Sequence, residues 1–239
     1  METYEKTIDL YGDGIGKVQY IQHLGTDKTI VNSARVSFGK DNDIPIDAGD
    51  RKLIRYLMKN KHTSVLEHNV LTCKFVVPLF VRSQHHRHRT WAYNEISRRY
   101  TSENLEFYCP NTFRSQHESN RQASKDDEID PPIFTWYDED LTWKVSEALR
   151  EYVAHSIEFF NSLISAGIAR EQARMVLPQN LYTEYYGTVN LNNLLKFIVL
   201  RDDSHAQKEI QVVGKAVRQI ATDLWPEAMS AFNELCTPK

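Results

Sequence analysis

Residues 82–100, RSQHHRHRTWAYNEISRRY, hold five arginines and three histidines and no lysine. The whole chain is slightly acidic, with 29 Lys+Arg against 32 Asp+Glu over 239 residues, so the cationic concentration is local. A guanidinium presents a planar fork that meets a phosphate or carboxylate through two parallel hydrogen bonds, which an ammonium cannot reproduce. An all-arginine run therefore points to geometric recognition of an anion. Glu95 is the only acidic residue between Glu67 and Glu103, too little to neutralise the cluster, and an external anion is the natural partner. If residues 78–88 are helical, Gln84, Arg87 and His88 lie three or four apart and share one face. From Tyr93 to Tyr100 donors and acceptors alternate, a mixture suited to a polar heterocycle as well as its phosphate.

Two other chemistries compete for the same residues. His62, His68, His85, His86 and His88 are close enough in sequence to suggest a metal site, but flanking arginines oppose the approach of a cation, and thiolate or carboxylate help is scarce. Trp91, Tyr93 and Tyr100 among arginines could stack bases in an RNA-binding module. Against that stands the net charge of −3, since nucleic-acid binders usually show their basicity across a whole domain. Nucleophilic catalysis finds little support. Cys73 falls in an apolar run, Cys109 precedes Pro110 and Cys236 is near the end of the sequence, none beside an obvious base. Three scattered cysteines suit a reducing compartment, and the expectation is a cytoplasmic protein with no membrane segment.

The elements that must position these residues read as one α/β (α+β) domain over residues 1–239. Strands concentrate in the first half and long helices in the second, giving a mixed or antiparallel sheet flanked by helices. KTIDLYG and KVQYIQHL read as strands around GDGIG, whose spacing and context are wrong for a Rossmann fingerprint. Asp27 and Asp50 are predicted to cap helices over 29–38 and 51–60. Residues 69–77 read as a strand, with Pro78 opening the helix that delivers the arginine cluster. Residues 114–132 are polar and read as an excursion loop. A long amphipathic helix is expected over 138–165 with Gly167 as its stop, then a short helix to Pro178, a strand over 180–190, and helices to the end.

Arg87-His88-Arg89, seven residues, then Ser97 resembles the R-H-R-x7-S signature of the flavin-dependent thymidylate synthases. YNEISRRY extends the match, and SARVSF (33–38), HTSVLEH (62–68), ARMVLPQNLYT (173–183) and LRDDSHAQKEIQ (200–211) follow in the family's order. The pattern departs at Ala92, where many relatives carry Ser.

The resemblance implies conversion of dUMP to dTMP in de novo dTMP biosynthesis, with methylenetetrahydrofolate as carbon donor and NADPH-reduced FAD as hydride source. It places Gln84, His85, His86, Arg87, Glu95, Ile96, Ser97, Arg98, Arg99, Arg174 and Arg201 around dUMP, with Arg201 favouring ionisation at N3 of the uracil. It places Ser37, Ser64, Glu67, Arg87, His88, Arg89, Asn94, Glu95, Asn190, Asn192 and Lys196 around FAD, and His62 near the flavin where the folate stacks. It also implies a homotetramer whose active sites draw on several subunits, with no metal, nucleic acid or membrane involved.

Overall fold

Alternating side chains on either side of a glycine-rich turn produce the first two strands where the sequence predicts them, β1 (Thr7–Asp9) and β2 (Lys17–Leu24), paired antiparallel. The computed structural model describes residues 4–97, 99, 105–120, 124–135 and 138–235, and the side chains of all of these but 138–141. After β2 come α1 (Asp27–Arg35), α2 (Ala48–Lys59), β3 (Val70–Pro78), α3 (Leu79–His85) and β4 (Ala92–Glu95). Next are β5 (Pro132–Thr135), β6 (Asp138–Lys144), α4 (Val145–Ser165) and α5 (Arg170–Ala173). The chain finishes with β7 (Tyr182–Asn190), α6 (Leu191–Arg201), α7 (Lys208–Leu224) and α8 (Pro226–Leu235). The main sheet runs β1-β2-β3-β7-β4, and β5 pairs with β6 in a separate hairpin. The result is an α+β protein without a doubly wound sheet.

The chain divides into two compact units. The first comprises residues 1–76, 84–94 and 184–239; the second comprises 77–83 and 95–183. In the first, β3 lies inside the sheet, and Leu71, Cys73 and Phe75 are buried. Phe75 stacks on Tyr185 with ring centres 5.2 Å apart, and meets Trp91 edge-on at 6.0 Å. Gly187 makes room for this group: a Cβ there would stand 2.9 Å from the Phe75 ring and 3.2 Å from Trp91.

Several sequence expectations are corrected by the structure. Asp27 caps not its own helix but α8: its carboxylate accepts from Glu227 N at 3.0 Å and Ala228 N at 2.9 Å. Pro226, at the first position of α8, has no N–H to offer, so the next two donors need an acceptor. The cap of α2 is Asp47, which accepts from Asp50 N at 2.7 Å; Asp50 is buried one turn in and pairs with Lys28 and Arg35. Pro78 closes β3 and does not open α3. Helix α3 ends at His85, so Arg87 and His88 lie in the following turn, off the face that carries Gln84.

In the second unit the expected helix over 138–165 begins seven residues late, because residues 138–144 pair with β5. The helix starts where Asp130 supplies a cap, accepting from Ser146 N at 2.9 Å and Ser146 Oγ at 2.7 Å. Its end is as predicted. Gly167 has φ 85°, and the Gly167 and Ile168 amides donate to Ile164 and Leu163 carbonyls, the Schellman arrangement. The polar stretch 114–132 lies wholly in this unit. It is more ordered than a plain excursion: Phe113 bridges Ile129, Gln116 bridges Ser124, and Ser115 Oγ donates to Asp127 at 2.8 Å. Phe160, Ala173, Leu177 and Leu181 form the unit's buried core.

Gly187→Ala is expected to lower stability by about 1–3 kcal/mol, the usual cost of overpacking a filled core, read as a lower chemical-unfolding midpoint.

Candidate active site

The residues singled out by sequence fall into two groups, one in each unit. In the second unit a polar cavity of about 680 Å³ is lined by Arg82, Glu95, Ile96, Ser97, Arg99, Glu171, Arg174, Gln179 and Thr183, with apolar residues between them. Glu95 is its fixed point. Thr183 Oγ1 donates to Glu95 Oε1 at 2.6 Å, and Arg82 Nε stands 3.2 Å from the same oxygen, an ion pair without hydrogen-bond alignment. Ser97 Oγ accepts from Arg99 N at 3.3 Å and Nε at 3.4 Å. Arg174 follows α5 in a tight 3-10 turn that exposes its side chain to the same cavity. Three arginines against two glutamates leave the lining cationic, with hydroxyls interspersed. That combination suits a phosphate joined to a hydroxylated ring. Arg98 lies outside the described residues.

The first unit holds the second group. Helix α6 ends at Arg201 with its guanidinium half-buried. Arg201 Nε donates to His88 Nε2 at 3.0 Å, and Nη2 lies 3.4 Å from the Gln84 carbonyl oxygen. The Gln84 side chain donates to Gln207, and Gln207 in turn donates to the buried Glu209 at 2.8 Å. Burial pulls the Arg201 pKa below the usual arginine range. Burial first, and then the Arg201 charge, hold His88 down at about 4. His88 is thus a neutral acceptor at physiological pH, and accepting at Nε2 requires its proton to sit on Nδ1.

His85, expected among the substrate contacts, has a buried side chain. Its ring is fully enclosed, with Nδ1 2.8 Å from the Tyr185 hydroxyl and Trp91, Phe75 and Phe197 rings at 4.5, 4.8 and 4.7 Å. Burial holds its pKa well below the ordinary imidazole value. The ring supports the turn that carries Arg87 to Arg89. His86 packs 4.1 Å from the Tyr93 ring. Tyr93 pins the same turn, its hydroxyl donating to the carbonyls of His85 at 2.9 Å and His88 at 3.2 Å.

Arg87 and Arg89 emerge exposed from this turn, as does Asn94 from β4. Ser37, Ser64 and Glu67 are likewise exposed, on 3-10 turns over Val36–Phe38 and Thr63–Leu66 and at the end of the latter. Asn192 Nδ2 donates to Glu67 Oε1 at 2.9 Å. Beside this pair a groove of about 350 Å³, lined by Thr63, Leu66, Asn192, Leu195 and Lys196 among others, is almost wholly apolar. Asn190 caps α6, accepting from Asn193 N at 3.0 Å. His62 is exposed near Tyr56, ring centres 6.0 Å apart.

Sequence reasoning missed Arg82, Thr183, Gln207 and Glu209. Arg82 was visible as part of the arginine run; the others pair over long separations that local pattern does not report. No group of three or more His, Cys, Asp or Glu suited to a metal occurs among the described residues. Cys73 is buried in β3 with its thiol pushed far up by burial, and Cys109 is pushed up for the same reason. Neither has the depressed pKa of a nucleophilic thiol. Cys236 lies outside the described residues.

A family profile described as thymidylate synthase complementing protein matches residues 19–227. The flavin-dependent thymidylate synthase of Thermus thermophilus is 39% identical over 219 residues, 92% of this chain and 76% of that protein. The chain belongs to the flavin-dependent thymidylate synthase family. The Thermosipho africanus member is 37% identical over 218 residues, covering 91% of this chain and 90% of its own. Among solved structures, the UMP/dUMP methylase PolB from Streptomyces cacaoi, bound with 5-Br dUMP, matches with TM-score 0.78 and 31% identity, covering 95% of this chain and 97% of that one. The family is an enzyme family of methyltransferases. Among the described residues no helix is long and apolar enough to cross a membrane.

The neutral state of His88 has a measurable consequence. Its folded pKa lies below the unfolded value, so between pH 6.5 and 4 the unfolded chain binds a proton that the folded chain does not, and stability falls as pH falls through that window. His23 and His85, also held down by burial, act in the same direction. The thermal midpoint of His88→Gln is expected to fall less steeply than wild type between pH 6.5 and 4.

Proposed function

We propose that the protein converts dUMP to dTMP, taking the one-carbon unit from methylenetetrahydrofolate and reducing equivalents from NADPH through bound FAD. The observation that carries this is Arg201: a desolvated guanidinium held by neutral acceptors, with no carboxylate beside it among the described residues. Such a cation stabilises negative charge on whatever it meets. Set against N3 and its neighbouring carbonyl, it favours the ionised uracil and raises electron density at C5, where carbon must be added. A fixed donor aimed at developing charge contributes on the order of 3–4 kcal/mol. The thiol route has no support in Cys73 or Cys109, and Ser97, held by Arg99, is suited to a phosphate oxygen.

The residues assigned to dUMP are those of the two groups. Glu95, Ser97, Arg99 and Arg174 would take the phosphate and sugar; Gln84, Arg87 and Arg201 would take the base. In line with the family resemblance, we favour a homotetramer in which one chain's phosphate residues serve another chain's base residues. Transfer would join C5 to the donated carbon, with that carbon's bonds to the folate nitrogens broken and the C5 proton released to solvent.

The donor set also fits a flavin dinucleotide. Arg87 and Arg89 are exposed cations without an ion pair among the described residues, suited to a pyrophosphate. Ser37, Ser64 and Asn94 add exposed donors, and the apolar groove beside Glu67, Asn192 and Lys196 offers a ring system a dry face. When bound and reduced, FAD supplies hydride chemistry that no side chain can. The residues of this chain hold it, exclude water and place the substrate; His62 is assigned to the folate side.

Purified protein with flavin absorption that forms dTMP only when dUMP, methylenetetrahydrofolate and a reductant are all present is the expected result; flavin-free protein with no affinity for dUMP would overturn the proposal. Arg201→Lys is expected to retain flavin and lose turnover, because an ammonium lacks the planar fork. Cys73→Ser with Cys109→Ser and Cys236→Ser is expected to stay active. Arg174→Ala and Arg201→Ala chains, each impaired alone, are expected to regain activity when co-assembled, in a particle four times the 27.9 kDa chain mass; hybrids no more active than their parents would contradict sharing between subunits.

A further inference from the structure

We propose that His88 is a positioning residue for Arg201, fixing the plane of its guanidinium so that only the Nη1–Nη2 edge faces the substrate. This rests on the role given above to Arg201 and goes beyond any contact His88 makes with flavin. An arginine fork has a side edge, Nε with Nη2, and an end edge, Nη1 with Nη2. Here the protein occupies the side edge: Nε donates to His88 Nε2 at 3.0 Å, and Nη2 approaches the Gln84 carbonyl at 3.4 Å. Nη1 has no partner among the described residues. The end edge is left to meet two adjacent acceptors in one plane, the pattern of a deprotonated ring nitrogen beside a carbonyl.

His88 is itself held on every side. Its amide donates to the His85 carbonyl at 3.0 Å, and its carbonyl accepts from the Tyr93 hydroxyl and the Trp91 amide at 3.2 and 3.3 Å. The Phe197 ring, one turn before Arg201 on the same helix, packs edge-on at 4.8 Å. At the other end of the arginine, the backbone is fixed by α7. A Cβ on Gly214 would stand 2.9 Å from the Arg201 carbonyl carbon, and Arg218 reaches Asp202 at 2.8 Å. The side chain therefore starts from a fixed peptide and ends against a fixed acceptor. A neutral imidazole orients the cation without cancelling its charge, which a carboxylate in the same place would do.

A double-mutant cycle on the FAD-loaded protein tests this, reading dUMP affinity by calorimetry, turnover, and flavin content by absorbance. Both His88→Ala and Arg201→Ala are expected to lower turnover and dUMP affinity by about 10-fold or more, the scale of a lost hydrogen bond to a charged group. If His88 acts through Arg201, the double variant is no worse than Arg201→Ala within about threefold. His88→Gln, which keeps an acceptor, is expected to recover most of the turnover and dUMP affinity that His88→Ala loses. Losses that multiply in the double variant, or a His88→Gln as impaired as His88→Ala, would overturn the proposal. The geometry also has a readout that needs no ligand. The Arg201 Nε–H resonance should be protected from exchange in wild type and His88→Gln and lost in His88→Ala. Wild type that shows this protection but binds no dUMP would refute the proposed function and leave the positioning intact; absent protection would refute the positioning.

Discussion

The structure turns on a cation left unneutralised. Among the described residues, Arg51 meets Glu227 and Arg55 meets Glu234 at the surface, where an ion pair is worth little, while Arg35 and Arg218 meet Asp50 and Asp202 in less exposed places. Arg201 is half-buried and meets an imidazole and a carbonyl instead. Removing a charge from water without a counter-charge is costly, and Arg201 carries that cost with no acid beside it among the described residues. Two unit charges 4 Å apart at an effective dielectric near 20 interact by about 4 kcal/mol, so an anion placed there would gain energy on that scale. A carboxylate in the position of His88 would have neutralised the cation before the substrate came.

That constraint explains features that look unrelated. The turn after α3 must present His88 as an acceptor, and its conformation is locked by a fully enclosed His85, the Tyr93 hydroxyl and the aromatic group of Phe75, Trp91, Tyr185 and Phe197. Gly187 opens space for those rings, and Gly214 lets α7 lie against the Arg201 peptide. The polar cavity of the second unit follows a different rule. There Glu95 ties down Arg82 and Thr183, while Arg99 and Arg174 remain at the cavity wall. The first unit holds Arg201 with no acid beside it among the described residues, and the second offers several cations and hydroxyls around a cavity of about 680 Å³.

Much of this was legible in the sequence where the cause was local. Helices were expected where α6 and α7 stand, and Gly167 marked the end of α4. What escaped depends on partners distant in sequence. Residues 138–144 carry an amphipathic pattern that a helix would also satisfy, and only their pairing with β5 makes them a strand. Asp27 sits at a helix start yet serves α8, 200 residues on. The family resemblance placed His85 around dUMP, and the rings that enclose its side chain come from β3, β7 and α6. Thr183 reaches Glu95 across 88 residues. Local spacing reports faces and stops; it does not report which buried polar group meets which.

The central claim is that guanidinium charge, not a thiol, activates the pyrimidine. The most direct test is the ionisation of the bound base, followed by the carbon-13 resonance of C4 in labelled dUMP on the FAD-loaded protein as pH is varied. Electrostatic activation predicts an N3 ionisation midpoint at least about one unit below that of free dUMP, equivalent to roughly 1.4 kcal/mol of differential stabilisation, with the shift abolished in Arg201→Lys. An unshifted midpoint, or a C6 signal moved to the saturated region by addition of a sulfur, would contradict it.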